Sequence, residues 1–588
     1  SGERTGSSYV VFGKATEFEA NTQLSSLDGS NGFRIEGERD HDRSGYSVSN
    51  AGDVNGDGFD DVIVMSYGEG HVVFGKASGF DGEMDLSNLN GRNGFHTDGE
   101  IGFFADSVSG AGDVNGDGFA DVIISDFSTS YLVFGKASKF DTDLELSGLN
   151  GRNGFRLNHH YQSATASSAG DINGDGFDDV IIGCQDAGNN GVQSGSSYVL
   201  FGKVSGFDAA IDLSSLDGSN GFRLDGESVG DSSGYSVSDA GDVNGDGFDD
   251  VIIGAPQTYS NYASSGSSYV VFGKDSGFDA HVDLSSLDGS NGFRLDGERI
   301  KDQSGWSVSS AGDFNGDGYG DLIIGSYARN DYSAQNYVIF GKASGFAAQI
   351  DLANLLSDEG FRIESEARNE FFGWNVSGGG DINGDGLDDL IIGSPEDGLN
   401  PQIAYNTNYV IFGSRNFSGD GELPEITGTD ADNSLKGSEA AEHFIAGEGN
   451  DNLLGFGGAD IFDAGAGDDA IRIGDLTFAS IDGGDGNDAL HLAGSGMNLD
   501  LTALGDRIHD IETICLYGCG DNTLTLTAET LLSLSDSTST LKVHGNSGDH
   551  IALQDSGWVD GGSQGFYHTY THDDAVLLVG ANVAVEFV

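Results

Sequence analysis

The sequence predicts an all-β protein whose N-terminal part is a β-propeller, a ring of four-stranded blades. The nonapeptide "DVNGDGFDD" at Asp53–Asp61 recurs from Asp113, Asp171, Asp242, Asp313 and Asp381, at intervals of 58 to 71 residues. Around each copy, four short segments rich in β-branched and aromatic residues recur, bounded by Gly, Asn, Asp or Ser. A four-stranded repeat used many times, without helical periodicity between copies, is typical of propellers.

The number of blades follows from counting strands. Segments of the "YVVFG" type, the expected third strands, occur seven times, whereas the aspartate-rich nonapeptide occurs six times. The first repeat begins at its third strand, and the last stops at Gly413 without a fourth. We therefore expect a seven-bladed ring whose first blade is incomplete in this chain, which would be part of a larger polypeptide. The alternative is a six-bladed ring that leaves the strand at Tyr9 unused.

Composition excludes several classes of partner. The chain has 588 residues, enough for two to four domains, and a formal net charge of −69 from 95 acidic and 26 basic residues. Phosphate backbones and anionic lipid surfaces would repel such a chain, so nucleic-acid binding is not expected. No apolar run approaches the roughly 18 residues that a membrane-spanning helix needs. Divalent cations would relieve the repulsion between so many carboxylates.

The nonapeptide places oxygen donors at fixed positions of a glycine-rich turn. Asp-Gly and Asn-Gly are good turn formers, but a turn alone does not need the same four oxygen positions in six copies. Anionic and neutral oxygens together suit a hard cation of the size of Ca²⁺, with position 7 offering its backbone carbonyl. Where an EF-hand loop needs a twelfth-position Glu, these loops carry Val or Ile of the next strand, so an EF-hand is excluded. The predicted ligands at positions 1, 3, 5, 7 and 9 are Asp53, Asn55, Asp57, Phe59 and Asp61; Asp113, Asn115, Asp117, Phe119 and Asp121; Asp171, Asn173, Asp175, Phe177 and Asp179; Asp242, Asn244, Asp246, Phe248 and Asp250; Asp313, Asn315, Asp317, Tyr319 and Asp321; and Asp381, Asn383, Asp385, Leu387 and Asp389.

The loop and its neighbours, "GYSVSDAGD" before it and "YVVFG" after it, resemble the FG-GAP repeats of integrin α-subunit propellers and their bacterial relatives. The resemblance covers Ser1 to Gly413. It implies calcium in the hairpins of one face and ligand binding mostly on the opposite face. Integrins carry this loop in only some blades, and nothing after the propeller resembles an integrin leg, so integrin partners are not implied.

A second repeat follows the propeller. Nonapeptides start at Gly428, Gly437, Ala446, Gly455, Ala464 and Gly483, with a hydrophobic residue at each eighth position. They resemble the RTX repeat of a parallel β-roll, in which two nonapeptides make one turn and sixth-position aspartates eighteen residues apart bind calcium. A flexible linker would not keep a hydrophobic residue at every ninth position. The resemblance implies calcium ligands at Asp451, Asp460, Asp469 and Asp488, with Glu442 and Asp460 the weaker pair.

The expected organisation is a propeller over residues 1–413, a linker over 414–427, an RTX roll over 428–492 and a β-rich cap over 493–588. Residues 493–588 resemble the C-terminal segments of large RTX surface proteins, and the resemblance implies type I secretion to an extracellular or cell-surface location. Three cysteines are too few for a disulfide framework. Cys515 and Cys519 are close enough in sequence to pair within a hairpin.

No sequence motif indicates an active site. The histidine clusters at His159–His160 and at His568 and His572 are interpreted as surface features, and no nucleophile motif accompanies them. Loops opposite the calcium face carry aromatic and polar residues suited to sugar or peptide recognition. We therefore expect a non-enzymatic, calcium-binding adhesion module with a glycan or protein ligand. The alternative is a secreted polysaccharide- or lipid-cleaving enzyme. The predicted ligand-binding residues are Tyr259, Tyr262, Tyr327, Arg329 and Tyr332.

Overall fold

The computed structural model divides the chain into two compact units, Ser1–Ser414 and Arg415–Val588. The residues that the structure describes are 6–15, 18, 21–39, 43–66, 68–77, 79–98, 107–161, 163–204, 206–256, 265–275, 277–299, 301–327, 334–343, 345–356, 359–364, 371–395, 407–415, 425–438, 442–504, 507–518, 520–535 and 538–587.

The first unit contains seven sheets, one for each blade of the ring. In chain order, blade 1 has β1 (Ser7–Val11) and β2 (Gly32–Glu36); blade 2 has β3 (Val48–Gly52), β4 (Asp61–Ser66), β5 (Glu69–Val73), β6 (Glu83–Asp85) and β7 (Gly94–Asp98); blade 3 has β8 (Ser107–Gly112), β9 (Asp121–Asp126), β10 (Thr129–Val133), β11 (Asp143–Glu145) and β12 (Gly154–Asn158); blade 4 has β13 (Thr165–Gly170), β14 (Asp179–Cys184), β15 (Ser196–Leu200), β16 (Ala210–Asp212) and β17 (Gly221–Asp225). Blade 5 has β18 (Ser236–Gly241), β19 (Asp250–Ala255), β20 (Ser267–Val271), β21 (His281–Asp283) and β22 (Gly292–Asp296); blade 6 has β23 (Ser307–Gly312), β24 (Asp321–Gly325), β25 (Gln335–Ile339), β26 (Gln349–Asp351) and β27 (Gly360–Glu364); blade 7 has β28 (Asn375–Gly380), β29 (Asp389–Ser394) and β30 (Thr407–Ile411).

Neighbouring blades are linked by a short strand that the sequence repeat did not predict. In blades 2 to 6, the three-residue strand between the third and fourth strands leaves its own sheet and pairs in parallel with the fourth strand of the preceding blade, as β6 does with β2 and β11 with β7. A single 3₁₀ turn follows each of these strands, as at Leu86–Asn88. Each such blade therefore contributes one strand to its neighbour's sheet.

The ring closes between blade 1 and blade 7. The backbone N–H of Lys14, which follows the third strand of blade 1, donates to the carbonyl of Ile382 in blade 7 at 3.0 Å. Phe18 and Phe412 also bring their rings to within 5.8 Å of each other. The same hydrogen bond joins other neighbouring blades, from Lys136 to Val54, Lys203 to Val114, Lys274 to Ile172, Lys342 to Val243 and Ser414 to Phe314. The structure thus confirms the seven-bladed ring.

The core lies between the blades. The second strands are buried on both faces, as in β9, where all six residues from Asp121 to Asp126 are buried. Such burial explains why these strands read as continuous apolar runs and not as an alternation. Hydrophobic clusters join consecutive blades; one contains Ile63 of blade 2 together with Val122 and Ile124 of blade 3.

The second unit winds so that alternate strands pair in parallel. Two sheets result, one in the order β31-β33-β35-β37-β40 and one that begins β32-β34-β36-β38. The side chains that fill the space between them include Phe444, Leu453, Phe462, Ile471 and Leu490, the eighth residues of their nonapeptides. The strands are β31 (Glu425–Thr427), β32 (Ser434–Lys436), β33 (His443–Ile445), β34 (Asn452–Leu454), β35 (Ile461–Asp463), β36 (Ala470–Ile473), β37 (Ser480–Asp482) and β38 (Ala489–Leu492). We refer to residues 425–492 as the parallel coil.

The chain continues beyond the parallel coil without a break in the sheet. β41 and β43 extend the β32 sheet in parallel, and β47, β46 and β45 complete it, whereas β39, β42, β44 and β48 form a separate parallel sheet. These elements are β39 (Asn498–Asp500), α1 (Leu501–Leu504), β40 (Ile508–His509), β41 (Thr513–Cys515), β42 (Thr523–Leu526), α2 (Ala528–Ser533), β43 (Thr540–His544), β44 (His550–Leu553), β45 (Val559–Gln564), β46 (Tyr567–His572), β47 (Ala575–Gly580) and β48 (Ala584–Phe587). Cys515 is a buried free thiol, and Cys519 lies outside the described residues.

Candidate metal centres and recognition surface

Each aspartate-rich loop joins the first two strands of a blade and is organised by its position 1 aspartate. In the first loop, the two carboxylate oxygens of Asp53 accept hydrogen bonds from the N–H groups of Gly56, Asp57 and Gly58, at 2.7 to 3.0 Å. The bond from the position 6 glycine is present in all six loops. Gly56 and Gly58 have φ of +72° and +88°, which glycine adopts without strain.

The position 9 aspartates connect the loop to the turn that follows the third strand. Oδ1 of Asp250 accepts from the N–H of Gly273, which follows the third strand, and Oδ2 accepts from the N–H of Val243 in the loop. The glycine contact recurs in all six blades, at 2.7 to 2.9 Å. Burial raises the pKa of the position 9 aspartates, although the N–H donors oppose this shift. The pKa of Asp61 rises to about 7. It rises to about 8 in the other loops for Asp121, Asp179, Asp250 and Asp321.

Contacts between neighbouring loops are a feature that the spacing of the donors did not reveal. The aromatic ring at position 7 lies over the position 4 glycine of the preceding blade, so that a β-carbon on Gly116 would lie 2.2 Å from the ring of Phe177. At position 8, Oδ2 of Asp178 accepts from the N–H of Asp113 in the preceding blade at 2.6 Å. Asp249 and Asp388 make the same contact with Asp171 and Asp313. The loops therefore form a connected chain along one face of the ring.

The donor set of the loops suits a hard cation only if amide and backbone oxygens take part. Among the residues described, no three His, Cys, Asp or Glu side chains are gathered closely enough to hold a metal by themselves. The loops supply Asp at positions 1 and 5, Asn at position 3 and a carbonyl at position 7, and calcium accepts this mixture of oxygens.

A second column of carboxylates runs along one edge of the parallel coil. Oδ1 of Asp451, Asp469 and Asp488 each accepts from the N–H of the sixth residue one turn earlier, at 2.6 to 2.8 Å. The other oxygen of all three is buried and has no partner. Burying an unpaired carboxylate oxygen is costly, and a hard cation beside each of these oxygens would offset that cost.

Glycines allow successive turns of the parallel coil to pack closely on one another. A β-carbon on Gly465 would lie 2.1 Å from the carbonyl oxygen of Gly447, and one on Gly467 would lie 1.9 Å from that of Gly449. Successive turns therefore stack backbone on backbone. On the opposite edge of the parallel coil, Oδ1 of Asp460 accepts from the N–H of Glu442 at 2.9 Å, and burial raises the pKa of Asp460 to about 7.

An aromatic cluster lies at the opposite end of the propeller's first strands from the loops. Trp306 directly precedes β23, and the loop aspartate Asp313 follows it. The ring of Trp306 lies 4.6 to 4.9 Å from those of Tyr235, Tyr327 and Trp374. Phe371 joins the cluster at 5.5 Å from both Tyr327 and Trp374. These five residues, each half-buried, are the aromatic patch.

The aromatic patch spans three blades, with Tyr235 from blade 5, Trp306 and Tyr327 from blade 6, and Phe371 and Trp374 from blade 7. Its rings pack between blades and still keep part of their surface exposed. Of the predicted ligand-binding residues, Tyr327 belongs to it. Tyr259, Tyr262, Arg329 and Tyr332 lie outside the described residues.

Comparison with known proteins is consistent with this architecture. The FG-GAP repeat family matches residues 44–82, 163–200, 233–271, 304–339 and 372–411, in blades 2, 4, 5, 6 and 7. The chain is 29% identical to integrin alpha-PS2 of Drosophila melanogaster over 233 residues, which are 38% of this chain and 14% of that protein. It is 29% identical to integrin alpha pat-2 of Caenorhabditis briggsae over 272 residues, 45% of this chain and 20% of the relative. With integrin alpha-PS5 of Drosophila melanogaster the identity is 33% over 178 residues, 29% of this chain and 16% of the relative.

The chain therefore spans a fifth or less of the length of these curated relatives. In the described part of the chain, no helix is both long and apolar enough to cross a membrane. Five of the seven blades match the FG-GAP repeat, and over this part the chain is similar to integrin α-subunits.

Proposed function

We propose that the protein is an extracellular, calcium-dependent adhesion or recognition module, in which calcium rigidifies both units and the propeller binds a glycan or protein ligand. The observation that carries the calcium part is the column of buried, unpartnered carboxylate oxygens of Asp451, Asp469 and Asp488. In the RTX interpretation, these residues are the sixth-position ligands. A calcium ion beside each would replace a desolvation cost with ionic bonds.

The same reasoning supports calcium in the propeller loops. In this proposal each ion is held by the side chains at positions 1, 3, 5 and 9 and by the carbonyl at position 7. Because the loops contact one another along the ring, an ion in one loop also stabilises its neighbour. A net charge of −69 makes the metal-free chain self-repelling. Calcium binding then acts as folding free energy, supplied outside the cell where calcium is plentiful.

The ligand is assigned to the aromatic patch. Half-buried Trp and Tyr rings on a rigid scaffold supply large contact areas at low entropic cost, and such rings dominate recognition sites. The patch lies on the face away from the aspartate-rich loops, so metal binding and ligand binding do not compete for the same atoms. Secretion by a type I system and membership of a larger surface polypeptide complete the proposal. An enzymatic role, the alternative, gains no support from the residues described.

Binding to arrays of glycans and of extracellular-matrix proteins, with calcium and with chelator, tests this function. We expect a ligand that binds in calcium and is lost in chelator. Trp306→Ala and Trp374→Ala should each weaken binding at least tenfold, a change of about 1.4 kcal/mol. Phe127→Ala is the matched control, because Phe127 is 46% exposed on blade 3, outside the patch. Equal binding by all three variants would contradict the assignment.

A further inference from the structure

The second unit contains a cavity that is separate from the column of carboxylates formed by Asp451, Asp469 and Asp488. Its volume is about 230 Å³, and its lining includes Ser563, Phe566, His568, Tyr570 and Val585. It lies where the hairpin β45–β46 extends one sheet beside β48, the edge strand of the neighbouring sheet. Ligand pockets for drug-sized molecules begin at roughly 300 Å³, so this one is sized for a smaller ligand.

One wall of the cavity carries the polar side chains of Ser563 and His568, and Asp560 lies behind His568. Ser563 and His568 stand opposite each other across the hairpin, with Ser563 Oγ 3.1 Å from His568 Nδ1. His568 Nε2 is 2.6 Å from Oδ1 of Asp560, which also accepts from the N–H of Gly562. A β-bulge between Asp560 and Gly562 shifts the register of β45 at this point. The hydroxyl of Ser563 and the imidazole of His568 offer hydrogen bonds to a polar ligand, and Asp560 holds the ring of His568 in place.

The remaining walls are apolar and aromatic. Tyr570 lies with its ring 4.9 Å from that of His568 and 6.0 Å from that of Phe587. Phe566, at the tip of the hairpin, is 89% exposed, the most exposed of the large hydrophobic side chains described. A hairpin tip favours Gly, Asn or Asp, and an aromatic ring there contributes little to folding while it remains in water. Its position at the mouth of the cavity suits it to stack on a bound ligand.

We infer that this cavity, the hairpin pocket, binds a single neutral sugar residue. A pyranose presents an apolar C–H face, which fits an aromatic ring, and a rim of hydroxyl groups, which fits the side chains of Ser563 and His568. The strongly negative chain disfavours acidic sugars and other anions. The site lies on a different unit from the aromatic patch, and the inference is independent of the proposed function.

The same three polar residue types form hydrolytic triads in enzymes, but here the geometry favours binding. The Asp560 side chain is 60% exposed, and Ser563 is also exposed. Electrostatic assistance to catalysis depends on a water-excluded site with fixed donors for the developing charge. An open hairpin of this kind provides hydrogen bonds for recognition, and the structure assigns no turnover to it.

Saturation-transfer NMR and calorimetry on the full chain in calcium test the inference. The probes are the methyl glycosides of glucose, galactose, mannose, fucose and N-acetylglucosamine. We expect at least one to bind with a Kd on the order of 1 mM, the range of a weak single-site ligand. Phe566→Ala and Asp560→Asn should each weaken that binding at least tenfold, with unchanged melting temperature because both side chains are exposed.

Two control variants keep the outcome decisive. Phe456→Ala removes a ring that is 42% exposed elsewhere on the same unit and should leave binding unchanged. Trp306→Ala separates this site from the aromatic patch, because a loss of binding in that variant would assign the sugar to the propeller and overturn the inference. The inference is overturned if none of the five glycosides binds, if the hairpin variants bind as well as the parent, or if choline displaces the sugar and proves the better ligand.

Discussion

The backbone N–H of Asp451 donates to Oδ1 of Asp469, eighteen residues further along the chain, at 2.7 Å, and Oδ2 of each residue is buried without a partner. One oxygen of each carboxylate thus stabilises the preceding backbone turn, and the other oxygen has no hydrogen-bond partner. This division of labour is the basis of the calcium proposal for the parallel coil.

Asp469→Asn should separate the contributions of the two carboxylate oxygens of Asp469 to stability. Its amide oxygen can still accept the N–H of Asp451, but the unpaired anionic oxygen is gone. In calcium we expect the variant's free energy of unfolding to be about 3 kcal/mol lower than the parent's. This is the stabilisation that one bound ion gives when calcium is in hundredfold excess over Kd. In chelator we expect no loss, because a buried unpaired charge has been removed. Thermal melts with and without chelator measure both, with Asp463→Asn, an exposed aspartate on β35, as the control. An equal loss in both conditions would argue for a purely structural role.

Asp250→Asn should destabilise the propeller even without calcium. Its two oxygens accept from the N–H groups of Gly273 and Val243, and an amide can serve only one of them. A buried N–H left without an acceptor costs about 1–3 kcal/mol. Denaturant unfolding in chelator measures the loss, and Asp279→Asn, an exposed residue of the same blade, is the control. If Asp250→Asn unfolds at the same denaturant concentration as the parent protein, the buried bridge is not a stabilising element.

Blade 2 carries an acid-sensitive histidine pair. His71 and His96 face each other with their Nδ1 atoms 2.8 Å apart, where blades 1, 3, 4, 5 and 6 pair a tyrosine with an arginine. Burial, reinforced by His96 and Arg39, lowers the pKa of His71 to about 3. Below pH 6.5 the unfolded chain binds a proton on this histidine that the folded chain does not bind. The corresponding stability is therefore fully present above pH 6.5, and it is lost as the pH falls toward 3.

Replacing the histidine pair with the Tyr–Arg pair of the other blades should reduce the acid sensitivity of the fold. At pH 5 the loss attributable to His71 is about 2 kcal/mol. The double variant His71→Tyr/His96→Arg should therefore lose less stability than the parent between pH 7 and pH 5, as measured by denaturant unfolding at each pH. Parallel curves for the two proteins would show that the histidine pair does not set the acid sensitivity.

Closure of the ring between blades 1 and 7 depends on a close backbone approach. A β-carbon on Gly13 would lie 2.8 Å from the carbonyl oxygen of Ile382. Gly13→Ala should therefore push the two blades apart and cost about 1–3 kcal/mol, the usual range for overpacking. Gly148→Ala is the control, because the nearest atom to its β-carbon would be 4.0 Å away. If both variants melt alike, blade 1 does not pack on blade 7 as described.

The repeats allowed the propeller and its blade number to be predicted, because a period that recurs six times carries the strand order with it. The exchanged short strands, such as β6, escaped prediction since three residues show no periodicity. The contact between Asp178 and Asp113 was also missed, because position 8 is not aspartate in every loop. His159, interpreted as a surface residue, is 2% exposed, since a single residue type does not reveal which face of the chain it occupies. The aromatic patch was only partly foreseen, through Tyr327.

Thermal unfolding of the full chain in calcium, in an equal concentration of magnesium and in chelator tests the central claim most directly. The claim predicts that chelator lowers the melting temperature by about 10 °C or more, because several ions each worth about 3 kcal/mol are lost, and that magnesium does not restore it. The same melting temperature in all three solutions would contradict it, and the carboxylates of both units would then stabilise the fold without a metal.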